Sequence, residues 1–343
     1  MIKISYIYNI HLLCDQWCYL YERGRKIWGY SPLQSYECAL LQMKSYYWNP
    51  KRLLYKPVFI VAESDLGGAI FPFAINKLRK DIRDFFLFSP IDYTDIITDI
   101  KDKELLRKIF NECLKDWGNY TVTFNHYRQD SALYSIIGGQ FDERKETCVN
   151  IIINNMKYDE YFSSLSKHQR QNVRTAYNKI RKEEIEWHFS QYSKDNTMSV
   201  PDKNECQLMY EDRCNKKNNI SGIFNDLKSK IRRKSNFVNR AIFELTTSST
   251  FVLYINETPA AYAGGYYDES HKKFYVPRLS INNKFRNYSP GIILVNEIVK
   301  VLIESGVEVL DLTRGTETYK YAMGGIEHYT YCLSSNISQI YIQ

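Results

Sequence analysis

The sequence predicts an α/β protein of two lobes, each a mixed, mostly antiparallel twisted sheet flanked by helices. Three observations lead there. The chain has 343 residues, a length at which one hydrophobic core usually gives way to two. Short runs rich in β-branched and aromatic residues, punctuated by Gly, Asn and Asp, alternate with longer segments of helical period. Both halves read as strands, helix, strand, short helix, strand, which places one lobe over 1–150 and another over 151–343. No residue-level repeat relates the halves, so duplication rests on element order alone.

In the first lobe, 57–64 and 68–75 read as strands joined by the turn Asp65-Leu66-Gly67, with 85–88 as a third. A helix is predicted over 101–117, where Leu105, Leu106, Ile109, Cys113 and Leu114 share a face. Segment 120–124 alternates like a strand, a short helix over 131–137 stops at Gly138-Gly139, and 148–153 is an apolar strand. The second lobe opens with one long helical region over 158–184, free of Pro and Gly, then a strand at 185–189 and two helices between 204 and 244. Strands 250–255, 260–267 and 273–279 turn at Asn256-Glu257 and Asp268-Glu269-Ser270 to make an antiparallel meander. A polar loop, 282–289, leads to a helix over 290–305 with Ser289 as N-cap and Pro290 at N1. Its Ile292, Val295, Val299 and Leu302 keep to one face, and Gly306 suits a left-handed C-terminal position. Strand 307–312, a short helix over 316–323, the pair Gly324-Gly325 and strand 328–333 follow.

Composition excludes disorder and low-complexity architectures: 44% of residues are hydrophobic, 25% charged, and Gly and Pro number only 15 and 9. The 29 Tyr are unusual, and codon composition explains them as simply as ligand binding does. No stretch approaches the roughly 18 apolar residues that span a bilayer, so the expectation is a cytoplasmic protein without a membrane span. Eight cysteines spread over so long a chain argue for reduced thiols. Only His11, Cys14 and Cys18 have a spacing that could gather ligands on one helix face. With no C-x-x-C pair and no H-E-x-x-H, core packing of the cysteines is the preferred reading and no metal is expected.

Two segments carry chemistry. Arg286-Asn287-Tyr288-Ser289-Pro290-Gly291 lies between a strand and a helix N-terminus, where unpaired N–H groups and the positive dipole end favour an anion. Ser289 and Gly291 are small enough for a phosphate to approach the backbone, and Arg286 adds charge; the same residues also make an ordinary helix cap. The second segment, 311–320, gathers Asp311, Arg314, Glu317, Tyr319 and Lys320 at the carboxyl end of a strand, where open sheets bind ligands. A structural reading stands beside it, with Asp311 capping the following helical region and Arg314 paired with Glu317 on the surface.

Phe285-Arg286-Asn287-Tyr288-Ser289-Pro290-Gly291 followed by Leu294 resembles the R-x-x-G-x-G/A pyrophosphate loop of GCN5-related N-acetyltransferases (GNAT), with Ser289 in place of the first glycine. Tyr161-Phe162 with Leu165-Ser166, Asn172-Val173-Arg174, Ser289-Pro290-Gly291 and the segment 311–320 resemble CelD-type acetyltransferases of cellulose or exopolysaccharide biosynthesis. Tyr319-Lys320-Tyr321-Ala322-Met323-Gly324-Gly325 is similar to the F-K-x-x-x-G-G segment of the related FemAB aminoacyltransferases. Ser31-Pro32-Leu33-Gln34-Ser35 and Asp92-Tyr93-Thr94-Asp95 extend the likeness into the first half. Thr316, Thr318 and Met323 depart from the usual Asp, Pro and Trp.

The resemblance implies tandem GNAT-like lobes, the second one catalytic, and an acyl-CoA co-substrate, acetyl-CoA first, with no metal. Arg286, Asn287, Ser289 and Gly291 would hold the donor pyrophosphate. Asp311 or Glu317 would accept the acceptor's proton, Tyr319 would protonate the leaving thiolate, and Lys320 would stabilise negative charge. The acceptor would be a polysaccharide, sugar-nucleotide or lipid precursor carrying an amine or hydroxyl.

Net charge is only +7, but 163–182 carries +6 and 216–240 carries +7, so the remainder is slightly acidic. These segments read as solvated helix faces or as anion contacts, with Arg170 and Arg174 of the first segment and Arg314 outside both as contact residues, for an acidic acyl carrier protein among others. A FemAB-like ligase using aminoacyl-tRNA, or a non-catalytic basic binding module, are the rival expectations.

Overall fold

The computed structural model describes residues 2–84, 92–139, 143–218, 231 and 234–340. The chain divides into two compact units: Met1–Glu146 with Lys234–Phe237 and Tyr329–Gln343, and Thr147–Arg233 with Val238–His328. Segment 85–88, expected to be a strand, and most of the basic segment 216–240 lie outside the described residues.

The first unit runs β1 (Lys3–Ile7), α1 (Cys14–Trp28), α2 (Tyr36–Trp48), β2 (Tyr55–Ser64), β3 (Gly67–Asn76), β4 (Asp81–Asp84), β5 (Ile97–Thr98), α3 (Lys103–Leu114), β6 (Thr121–Arg128) and α4 (Ala132–Ile137). β2 and β3 pair over their full length; the turn expected at Asp65-Leu66-Gly67 is the two residues Asp65 and Leu66, with Gly67 already in β3, and the central residues of both strands are buried on both faces. The first-unit sheet runs in the order β1-β2-β3-β4-β6 and closes with β13 (Ile326–Asn336), which comes from the far end of the chain. Four side chains from that end, Tyr331, Leu333, Ile337 and Ile340, are part of the first unit's core. α1 turns Trp17, Leu20, Gly24 and Trp28 inward. Cys14 and Cys18 are therefore exposed, against the expectation that they pack in the core; the indoles take the space that periodicity alone could have given the thiols.

The second unit contains β7 (Arg144–Ile152) from Thr147 onward, α5 (Tyr158–Ser164), α6 (Lys167–Lys182), β8 (Trp187–Tyr192), α7 (Val200–Asn218), α8 (Phe237–Glu244), β9 (Ser248–Ile255), β10 (Thr258–Asp268), β11 (Lys273–Ile281), α9 (Pro290–Glu304), β12 (Val309–Arg314) and α10 (Thr318–Ala322). Its sheet order is β7-β12-β11-β10-β9-β8. The single helix expected over 158–184 is two helices: Leu165 is extended, and the Ser166 side chain caps α6 by accepting from the Gln169 N–H at 3.1 Å. α6 buries Gln169, Val173, Ala176 and Ile180 and leaves its cationic residues on the outer side, the solvated-face reading.

The two units share a plan. β2-β3-β4, α3 and β6 match β9-β10-β11, α9 and β12, and in each case the strand after the long helix is parallel to the last strand of the meander. The strand that follows each short helix then pairs elsewhere. β7, after α4, pairs with β12 of the second unit, and β13, after α10, pairs with β6 of the first. A short helix α11 (Ile337–Ile340) ends the described chain.

Candidate active site

The site begins where two strands part. β11 and β12 pair in parallel only from Lys273, Phe274 and Tyr275 to Val309, Leu310 and Asp311. β11 then continues against β10 to Ile281, with no further partner in β12. This leaves a flank of β11 whose peptide groups can serve a ligand. β10 accommodates the opening with a register shift at Gly264/Tyr266, where a Cβ on Gly265 would lie 1.9 Å from the Tyr275 carbonyl oxygen.

A cavity of about 520 Å³ occupies the opening, ordinary for a small-molecule site. One end is the start of α9, with Arg286, Ser289, Pro290 and Gly291; the other is Glu317, Tyr319 and Arg213. Leu279, Ile281, Ile292, Val295, Ala322 and Met323 make the walls between them apolar. Ser289 stands at the N-cap position but in the left-handed region, φ 51°, and its side chain makes no capping bond. The expected Ser289 side-chain cap is thus absent, because the tight approach from the preceding 3-10 turn needs a positive φ that glycine takes most readily. Pro290 lacks an N–H, and the Ile292 and Ile293 N–H groups bond to the Ser289 carbonyl at 3.0 and 3.4 Å, so the helix start offers an anion the Gly291 N–H and the positive end of the dipole. A Cβ on Gly291 would come within 3.2 Å of the Ile281 side chain, so a side chain here would crowd the cavity wall beside the helix start.

At the other end, Glu317 precedes α10 with Lys320 Nζ 3.1 Å from Oε2 and Arg213 Nη2 3.2 Å from Oε1. Partial burial alone would raise its pKa, but Lys320 first and then Arg213 outweigh that, and the carboxyl sits below the ordinary Glu range. Tyr319 is mostly buried, and burial, helped by the neighbouring Glu317 charge, pushes its phenol well above the usual tyrosine value. The site therefore holds a firmly protonated acid beside a firmly ionised carboxylate. Lys320 is 2% exposed, and its ammonium donates to the carbonyls of Thr313, Arg314 and Gly315 at 3.3, 2.8 and 3.1 Å. It clamps the turn after β12. Tyr161 donates to the Met323 carbonyl at 3.0 Å and Gln169 to the Met323 sulfur at 3.1 Å, which fixes the apolar floor to α5 and α6.

Of the residues singled out in the sequence, Arg286, Ser289, Gly291, Glu317 and Tyr319 line this cavity. Asn287 is exposed on the outer side of its turn. Asp311 is buried in β12, where it accepts from the Thr313 N–H at 2.8 Å and has His328 Nε2 at 3.7 Å, away from the cavity lining. Arg170 donates to the carbonyls of Ser163 and Leu165, closing the end of α5. Arg174 lies over the Phe162 ring and, with Arg181 and Lys300, lines a separate recess of about 340 Å³. Arg314 ends β12 beside the Lys320 clamp. Arg213 is the functional candidate that sequence reading missed: besides Glu317, it binds the Leu279 carbonyl at 2.7 Å. Its α7 has no strong amphipathic pattern to direct attention to one face.

Residues 233–321, which contain most of this cavity, match a family described as Acetyltransferase (GNAT) domain. The chain superposes on a conserved protein of unknown function from Bacteroides thetaiotaomicron with TM-score 0.53 and 14% identity, covering 96% of this chain and 100% of that one. It superposes on a tandem GNAT protein from the clavulanic acid biosynthesis pathway with TM-score 0.52 and 9% identity, over 98% and 99%. FemX aligns at TM-score 0.49 and 11% identity over 86% of this chain and 91% of its own. No curated protein sequence matches. The fold is accordingly a tandem GNAT-like α/β fold, and with an acetyltransferase domain around the cavity the protein is an acyltransferase. Among the described residues no helix is long and apolar enough to cross a membrane.

Proposed function

We propose that the protein transfers an acyl group, acetyl first, from coenzyme A directly to an amine or hydroxyl of a polysaccharide, sugar-nucleotide or lipid precursor, in the manner of the CelD-type enzymes it resembles. The cytoplasm, where acyl-CoA is available, is the proposed place of action. What carries the reading is the cavity itself, which joins an anion-ready helix start to an acid and a carboxylate through an apolar channel. The α9 start and Arg286 would take the pyrophosphate, and the walls from Leu279 to Met323 would take the pantetheine arm.

The acceptor nitrogen or oxygen attacks the thioester carbon, the oxyanion forms beside the open flank of β11, and the C–S bond then breaks. Tyr319 gives its proton to the departing thiolate. Glu317, held anionic by two cations, is a weak base; it orients the acceptor's N–H or O–H and hands the proton on to water. Lys320 acts as a positioning residue that holds the turn carrying Glu317. No covalent acyl-enzyme is needed.

The experiment is turnover of acetyl-CoA and longer acyl-CoAs with a panel of amino-sugar, sugar-nucleotide and lipid acceptors by the wild type and Tyr319→Phe. Loss of the acid should lower kcat by about 100-fold or more while donor KM stays within about twofold. Equal kcat in both proteins would remove Tyr319 from the chemistry.

A further inference from the structure

We propose that the first unit binds a divalent transition metal, zinc by its donor set, between His126, Glu146 and Cys332. The three come from distant parts of the sequence, and the fold brings one ligand atom of each within 4.8 Å of the others. His126 lies in β6, Cys332 in the returning strand β13, and Glu146 at the end of the first unit's main segment.

Two of the three distances between ligand atoms are those found around a bound ion. His126 Nδ1 is 3.5 Å from Cys332 Sγ and 3.4 Å from Glu146 Oε2. Ligand atoms around a tetrahedral zinc at ~2.0–2.3 Å stand about 3.3–3.8 Å apart. Both neighbours converge on the same ring nitrogen. A cation at the centre satisfies all three groups together. Imidazole, thiolate and carboxylate are a mixed set that zinc accepts and that magnesium or calcium does not.

The backbone is shaped for this convergence. The β6–β13 ladder skips from Tyr331 opposite Tyr127 to Leu333 opposite Phe124, which leaves Cys332 facing Asn125 and His126. His126 itself is left-handed, φ 54°, and its N–H points at Cys332 Sγ at 3.4 Å. His126 and Cys332 are buried, while the Glu146 side chain is 39% exposed. That exposed side gives the ion a way in and leaves a fourth position for water. Binding displaces the Cys332 thiol proton to solvent and forms the metal–sulfur bond. The consequence would be a staple that ties β13, the strand from the far end of the chain, to β6.

The test uses the full chain, stripped with a chelator and titrated with Zn²⁺ alone by calorimetry and thermal shift, and with Co²⁺ alone by absorbance. One ion per chain should bind and raise the unfolding temperature, with a binding heat that depends on the buffer's ionisation heat because a proton is released. Co²⁺ should give a thiolate charge-transfer band that Cys332→Ser abolishes and a Cys14→Ser/Cys18→Ser protein retains. Cys332→Ser and Glu146→Gln should each weaken Zn²⁺ at least about tenfold. Glu146→Gln, at a half-exposed position, keeps the test decisive if the buried variant does not fold. No uptake of Zn²⁺, undiminished affinity in Glu146→Gln, or binding lost only with Cys14 and Cys18 would overturn the proposal; the last two would assign the ion elsewhere.

Discussion

At the scale of single residues, the proposed reaction turns on two side chains whose ionisation is pushed apart by their surroundings. Tyr319 must be protonated and its pKa is raised by burial, so it stays functional beyond the usual tyrosine value of about 10. Glu317 must be ionised and its pKa is lowered, so its functional form is present above that lowered value and is lost only as the pH falls through it. A profile of kcat against pH should therefore be flat from about pH 5 to 9 apart from titration of the acceptor, and Glu317→Gln should remove the acid limb. A limb near pH 6 in the wild type that persists in Glu317→Gln would place the essential carboxylate elsewhere. Lys320→Met leaves three carbonyls of the 313–315 turn without their ammonium. It should lower stability by about 1–3 kcal/mol and reduce kcat in parallel, with donor KM little changed; a variant as stable as the wild type would deny the clamp. These roles were half legible in the sequence. The cluster of polar residues after a strand pointed to the site, but whether Lys320 faced substrate or backbone depends on burial, and Asp311 lies inside β12 whereas Glu317 lies beyond the strand's end, at the start of α10. Arg213 comes from a helix about one hundred residues earlier and no local pattern marks it.

At the scale of elements, the residue pattern found the strands of the second unit's meander and the helix α9, because short apolar runs bounded by turn residues mark buried strands and an amphipathic helix writes its burial into its period. It merged α5 and α6 because a Ser with good neighbours reads as helix interior unless its capping bond is seen. It could not show the parting of β11 from β12, which is a matter of pairing and leaves both strand patterns intact. The parting depends on a close backbone approach at Gly265. Gly265→Ala puts a methyl against the Tyr275 carbonyl oxygen, and should cost about 1–3 kcal/mol or more and distort the opening. An alanine protein with wild-type stability, measured by chemical denaturation, would mean that the register shift does not require glycine.

At the scale of the molecule, element order alone announced a duplicated plan, and the pairing adds what order cannot: each short helix is followed by a strand that completes the other unit's sheet. Part of the tyrosine content finds its place here as well, with Tyr30, Tyr127, Tyr161, Tyr262, Tyr266 and Tyr275 among the largest fully buried side chains, so tyrosine contributes to the interior of both units. The proposed metal ligands were invisible to a search by spacing, since they meet only because β13 returns to β6. Removing residues 326–343 takes Leu333, Ile337 and Ile340 from the first unit's core, each worth about 1.5–3 kcal/mol of burial. The truncated protein should lose hydrogen-exchange protection along β6, and retained protection would contradict the strand pairing. The proposed acyl transfer requires the cavity at the start of α9 to be the acyl-CoA site. Calorimetric titration of acetyl-CoA into the wild type and Gly291→Val, with both proteins shown to unfold at similar temperatures, tests that most directly. One donor molecule should bind per wild-type chain, and the added side chain, filling the space beside Ile281, should weaken it by at least about tenfold; equal affinity in the two proteins, or no binding to the wild type, would contradict it.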